Sequence, residues 1–238
     1  MAITFRFRRV PFIAAAVVAA MGVALGQWQM HRAQEKQVIE AAMSARGKMR
    51  PLDFDGTAIP AMENAEFRRI TMRGEFESRW PVYLENRPYQ GRAGFYLLMP
   101  FRIASSGVRA LVVRGWLPRD ATSRTRLPPL TTPEGTVALE GMIVRHMPRV
   151  FELGDAPALH PESIVQNLDI GEFASASGMR LMPFIVEQTS DTGDGLVRDW
   201  PRPSSGIERH LGYAFQWYGL ALTAVVFFLV TGFRNGKK

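Results

Sequence analysis

The sequence predicts an α+β membrane protein in which two transmembrane helices at the chain ends bracket one mainly antiparallel β domain. Three observations carry this reading. Residues 10–30 and 210–233 form long apolar stretches almost free of charge. Between them, charge interrupts every few residues, and apolar positions alternate with polar ones in short runs divided by turn residues. The positive charge gathers at the tips of the chain. Of a net +7, the first nine residues carry +3 and the last five carry +3, leaving 23 basic against 22 acidic residues in between.

The elements follow in order. Residues 1–9 hold Arg6, Arg8 and Arg9 without an acid, the mark of a cytoplasmic flank. From Val10 to Leu25 every residue is apolar, Gly or Pro, and the stretch continues through Trp28 and Met30. As a helix, residues 10–30 would be about 31 Å long, matching a hydrocarbon core of roughly 30 Å. A cleaved signal peptide is the competing expectation, because Ala24-Leu25-Gly26 fits a small-x-small cleavage site; the mature chain would then begin at Gln27. The helical pattern runs on from Arg32 to Met43.

Residues 31–209 read as strands. Phe67 to Phe76 alternates, with Ile70, Met72, Gly74 and Phe76 on one face. Further candidates are 82–85, 94–103, 110–116, 137–146, 164–168 and 183–188. Turn signals at Arg87-Pro88, Ser105-Ser106-Gly107, Pro118, Pro128-Pro129 and Thr132-Pro133-Glu134-Gly135 separate them. This spacing favours an antiparallel sheet or a small open barrel. A short helix is expected from Asp169 through Ser177, ending at Gly178, and the Pro-rich stretch 126–133 reads as a surface loop. Leu211 to Phe233 has no charged residue over 23 positions, and Arg234, Lys237 and Lys238 follow it. Both termini are therefore expected in the cytoplasm and the central domain on the opposite side, the periplasm in a bacterium or the intermembrane space in a mitochondrion.

The composition narrows the chemistry. With 47% hydrophobic and 21% charged residues the chain should fold rather than remain disordered. The absence of cysteine removes disulfides, thiolate metal sites and cysteine nucleophiles. With four histidines, a multi-histidine metal cage is not expected. There is no nucleophile elbow, phosphate loop, dinucleotide fingerprint or His-Glu-x-x-His, so the expectation is a protein that is not an enzyme. Asp53-Phe54-Asp55-Gly56 and Asp191-Thr192-Gly193-Asp194-Gly195 read as turns rather than calcium loops. The twelve methionines are scattered, which does not suit a copper(I) site. His146 and His160 read as loop histidines. With no basic excess left in the middle of the chain, nucleic acid is not an expected partner.

One constellation stands out. His210 opens the second apolar stretch, with Tyr213 and Trp217 three and seven residues on, along one helical face. By the expected topology Trp28, Gln29, His31 and Arg32 leave the first helix at the same depth in the bilayer. An imidazole beside aromatic rings can ligate haem iron, and an arginine such as Arg32 suits the propionates. The alternative is an ordinary interfacial belt of Trp, Tyr, His and Arg.

Several motifs together identify a family. They are Leu25-Gly26-Gln27-Trp28-Gln29 with Arg32; Asn86-Arg87 followed by Gly94 and Pro100-Phe101; and Val113-Arg114-Gly115-Trp116-Leu117-Pro118. They continue with Leu139-Glu140-Gly141 and Arg145, then His210-Leu211-Gly212-Tyr213-Ala214 with Trp217, Tyr218 and Gly219. In this order the chain resembles the Surfeit locus protein 1 family along nearly its whole length. It departs from the family pattern at Glu208-Arg209, where asparagines usually precede the histidine, and at Tyr218, where phenylalanine is common. The resemblance implies an inner-membrane assembly factor for haem-copper cytochrome c oxidase that binds or presents haem a during maturation of the catalytic subunit. His210 would be the iron ligand, with Trp28, Tyr213, Trp217 and Arg32 beside it. The implied partners are that catalytic subunit, the enzymes of haem a synthesis and the lipid bilayer. A scaffold that stabilises the oxidase subunit without touching haem is the alternative. Asn86-Arg87-Pro88 as a turn, and Trp116 as a core filler at a strand end, are the structural expectations for the central motifs.

Overall fold

A computed structural model describes residues 5–58, 61–123, 125–152, 158–201 and 206–234; Lys237 and Lys238 of the expected cytoplasmic tail lie outside them. The described helices are α1 (Arg9–Gly47), α2 (Met62–Ala65), α3 (Ile170–Ser177) and α4 (Ile207–Arg234). The strands are β1 (Leu52–Asp53), β2 (Arg69–Phe76), β3 (Val82–Leu84), β4 (Gly94–Ile103), β5 (Arg109–Pro118), β6 (Val137–Val144), β7 (Ile164–Val165) and β8 (Leu181–Gln188). The chain divides into two units, one made of residues up to Ala41 and from Pro201 on, the other of Ala42–Trp200.

In the helical unit α1 and α4 are each long and apolar enough to cross a membrane. They run antiparallel, and their contact is made where side chains are small. A Cβ on Gly22 would stand 2.8 Å from the Trp217 carbonyl oxygen and 2.9 Å from the Ala221 Cβ. One on Gly26 would stand 2.6 Å from the Tyr218 ring. Gly22 and Gly26 are one turn apart, the small-xxx-small spacing that lets two helix backbones approach closely. Beyond this seam, Val17, Met21, Phe215, Leu222, Phe227 and Val230 point outward and are exposed.

The second unit is built around a closed barrel. β2 pairs with β6, β6 with β8, β8 with β5, β5 with β4, and β4 returns to β2 through Gly74↔Ile103 to Phe76↔Phe101. Of the two expected forms, an antiparallel sheet or a small open barrel, the structure takes the barrel and closes it, because β2 pairs with both β6 and β4. All ring contacts are antiparallel except β5–β8, which is parallel. This strand order, with that single parallel contact, is the connectivity of OB barrels. Period-2 alternation selects the interior: Ile70, Met72, Met99, Phe101, Ile103, Ala110, Val112, Leu139, Ile143, Phe184 and Val186 form one buried cluster. Each fully buried Phe or Ile there contributes roughly 2 kcal/mol.

A second cluster lies on the outside of β4 and β5. Tyr96, Leu98, Leu111, Val113 and Trp116 are covered by Val82 and Leu84 of β3, Val165 of β7 and Phe173 of α3. The outer surface of these strands, on which OB barrels commonly bind nucleic acids or sugars, is therefore occupied by the protein's own side chains. α3 begins where the sequence expects, with the Asp169 side chain accepting from the Gly171 N–H and Gly178 in the left-handed conformation at its end. β1 and α2 were not legible as elements, being two and four residues long.

Candidate functional site

The sequence places its candidate ligand, His210, in the first turn of α4, where its N–H bonds the Gly206 carbonyl at 3.3 Å. Along α1, Gly22, Gly26, Gln29 and Ala33 fall on one face at intervals of three and four. Gly22, Gly26 and Ala33 are buried there. On α4 the matching face carries His210, Ala214 and Ala221, the two alanines being buried. The two faces bring the His210 Nδ1 to 2.6 Å from the Gln29 Oε1.

That hydrogen bond has a chemical consequence. The Gln29 Oε1 only accepts, so Nδ1 is the donor in this contact, and in the neutral imidazole Nε2 then keeps its lone pair. A second-sphere acceptor that fixes the tautomer and frees the other nitrogen is the arrangement found behind metal-ligating histidines. The donor set thus fits an axial iron ligand. Two turns further along α4, the Tyr218 hydroxyl donates to the Gln27 Oε1 at 3.2 Å. The departure to tyrosine at this position therefore has a partner on α1.

The other expected residues are placed differently from one another. Trp28 and Tyr213 are about half exposed and present free ring surface. Trp217 is half-buried, with its carbonyl against Gly22. Arg32 donates to Glu35 at 2.8 Å and His31 lies 3.4 Å from the same carboxylate. The Arg32 bond, helped by the charges of Arg32 and His31, holds the exposed Glu35 carboxyl below its ordinary range. An exposed pair of this kind is weak, so Arg32 can exchange Glu35 for another carboxylate at little cost.

The central motifs occupy structural positions around the barrel. Asn86 adopts a left-handed φ of +60° in the connection between β3 and β4, whose tight turn lies at Gln90-Gly91 rather than at the expected Asn86-Arg87-Pro88. Trp116 is buried, donates from Nε1 to the Arg87 carbonyl at 2.7 Å, and packs where a Cβ on Gly94 would collide with its ring. Trp116 thus fills the core as expected. Arg114 was not expected inside. The β4–β5 register jumps from Leu98↔Val113 to Leu97↔Gly115, and this bulge turns Arg114 inward. There it is fully buried, stacked 4.5 Å over Phe76 and bonded to the Thr131 carbonyl, the Thr132 hydroxyl and Asp194 at 2.7 Å. Burial pushes the Asp194 carboxyl up, but bonds from Arg198 and Arg114 outweigh it and hold it below its usual range.

Two expected loops gain partners. The Pro-rich stretch is the expected surface loop, and within it Thr131 and Thr132 serve Arg114 while Leu130 packs on the core. The acidic turn at 191–195 spends Asp194 on two arginines. Asp55, in the other acidic turn, accepts from the N–H and hydroxyl of Thr57. His146 and His160 each bond a neighbouring carbonyl in a loop. The Gly22/Gly26 pair was overlooked, and Gln29 was placed at the depth of His210 without a role; the Gly-x-x-x-Gly spacing was the available signal for the seam that aligns the two.

Comparison with known proteins follows the same outline. A family model described as the SURF1 family matches residues 16–222. The chain is 26% identical over 234 residues to a SURF1-like protein of Monosiga brevicollis, covering 90% of this chain and 84% of that protein. It is 26% identical over 215 residues to a SURF1-like protein of Rickettsia bellii, covering 87% and 85%. A shorter match, 29% over 94 residues, covers 39% of this chain and 24% of the cytochrome oxidase assembly protein SHY1 of Saccharomyces cerevisiae.

Proposed function

The chain belongs to the SURF1 family, and on that premise we propose that it is a non-enzymatic assembly factor for haem-copper cytochrome oxidase that carries haem a at His210 toward the catalytic subunit. The relative named as a cytochrome oxidase assembly protein supports the oxidase role. The observation that carries the haem reading is the His210–Gln29 hydrogen bond, which leaves Nε2 free to ligate. α1 and α4 cross the membrane with both termini in the cytoplasm, following the basic flanks. In a bacterium this places residues 42–200 in the periplasm.

Haem a, as cargo, supplies the iron and a flat apolar ring. His210 holds the iron, Trp28, Tyr213 and Trp217 offer aromatic surface, and Arg32 trades Glu35 for a propionate. A single ligand on an open helical face suits a carrier, which must release what it binds. A second reading rests on the same bond: Gln29–His210 joins the two helices and serves a scaffold that binds no haem.

Absorbance spectra decide between them. Protein purified from cells making haem a should carry the haem bands, His210→Ala should lose them, and Gln29→Leu should retain them with about tenfold or more weaker affinity. Equal haem in wild type and His210→Ala, or none in either, rejects the carrier reading and leaves the scaffold.

A further inference from the structure

A cavity of about 340 Å³ opens in the β unit, lined by Glu85, Asn86, Arg87, Gly94, Arg119 and Gln166 among others, none of them a residue assigned a role above in haem binding. Its chemistry is unusual for a structural void. Arg87 is only 6% exposed. Its Nη2 donates to the Gln166 carbonyl at 3.1 Å, yet its buried Nε has no partner and its Nη1 makes no hydrogen bond among the described residues. The Gln166 Oε1 is also buried without a donor. Arg119 enters from the end of β5, anchored by its N–H to the Ala93 carbonyl at 3.1 Å, with a side chain that makes no hydrogen bond or ion pair among the described residues.

Leaving a buried guanidinium N–H and a buried amide oxygen unpaired costs free energy that native proteins normally avoid. Arg87 is nevertheless held rigidly. Its carbonyl takes the Trp116 indole N–H, its N–H bonds the Gly94 carbonyl at 3.3 Å, and its guanidinium lies 5.8 Å over the Tyr96 ring. The β3–β4 connection that presents it contains the left-handed Asn86, a strained backbone conformation of the sort found at binding sites. Burial pulls the Arg87 guanidinium below its usual range, a penalty that an anion beside it would relieve.

We propose that this cavity binds a peptide carboxylate, with Arg87 and Arg119 taking the anion and the Gln166 Oε1 taking an adjacent N–H. Two arginines against Glu85 leave one net positive charge in the lining, which matches a singly charged carboxylate better than a phosphate dianion. The fork of a guanidinium fits a planar carboxylate. The orphan acceptor suits a ligand that carries a donor beside its anion, as a peptide does and a fatty carboxylate does not. The carboxylate comes from a chain terminus or from an acidic side chain of a partner protein.

Ligand-observed NMR titration of the full chain in detergent tests this, with N-acetylglycine standing for a chain terminus and N-acetylaspartic α-amide for a side chain. At least one should bind saturably, with a dissociation constant on the order of millimolar for so small a ligand, and the tighter of the two identifies the source. N-acetylglycinamide, which lacks the charge, should not bind. Arg119→Gln, on the rim, should weaken binding about tenfold, and Arg87→Lys should abolish it; if the latter does not fold, Arg119→Gln decides. Absence of saturable binding, unchanged affinity in Arg119→Gln, or tighter binding of inorganic phosphate than of either carboxylate overturns the assignment.

Discussion

The β unit and the helix pair are held together by opposite means. The barrel depends on bulk: Phe101, Phe184, Trp116 and their neighbours fill its interior and its outer cover. The helix pair depends on the lack of bulk, with Gly22 and Gly26 letting α1 approach the α4 backbone while the large apolar residues face outward. On the membrane placement proposed for the helices, the difference follows from the surroundings. Water drives large side chains into a core, whereas lipid is as apolar as leucine and gives no such push, so close backbone packing and polar contacts must hold helices together. The polar contacts at this seam are Gln29–His210 and Gln27–Tyr218, so the groups that pin the helices include the candidate ligand.

Removing bulk and adding bulk should therefore have opposite local consequences. Trp116→Ala deletes a buried ring and its bond to the Arg87 carbonyl, and should destabilise the β unit by about 4 kcal/mol. A lowered denaturation midpoint by near-ultraviolet circular dichroism would show it. An unchanged midpoint would mean that the outer cluster adds nothing to the barrel.

Adding bulk at Gly22 attacks the other unit. Gly22→Leu would press a Cβ against the Trp217 carbonyl, which is backbone and cannot step aside, at a cost of about 3 kcal/mol. Because the chain has no cysteine, a Gln29→Cys/His210→Cys pair reports helix contact cleanly by cross-linking with a short bis-maleimide. Cross-linking should fall sharply when Gly22→Leu is added, while the β unit keeps its melting behaviour.

The smallest effect is a pH dependence confined to the β unit. Burial pushes the Glu187 carboxyl up to about 7, from 4.5. Since the fold favours the protonated acid, its contribution is complete below pH 4.5 and is lost as the pH rises through 7, amounting to at most about 3 kcal/mol. Glu187→Gln should flatten the decline in stability between those limits when unfolding is followed in urea. A decline of equal slope in wild type and variant would place the titrating group elsewhere.

The strands and their faces were legible because one side of each must be dry. β2 shows this in Ile70, Met72, Gly74 and Phe76, and β4 spans Gly94–Ile103 as its turn signals imply. Closure of the ring was not legible. It depends on β2 pairing with β4 at one end while it pairs with β6, a choice made by twist and register between segments distant in sequence. Arg114 illustrates the same limit. Strand alternation gives no reason to bury an arginine, and only the bulge opposite Leu97/Leu98, with Asp194 arriving from 80 residues away, makes its position tolerable.

By itself, the sequence determined what composition and local period can express: two apolar spans, the basic tips, the strand faces, the cap and end of α3, and the family motifs with His210 among them. The tertiary structure alone decided which polar groups meet. Gln29 lies 181 residues from His210, and no local pattern names a hydrogen-bond partner at that separation. The pairing is set by helix packing at Gly22 and Gly26, and it is this pairing that turns Nδ1 of the histidine, rather than Nε2, toward the glutamine.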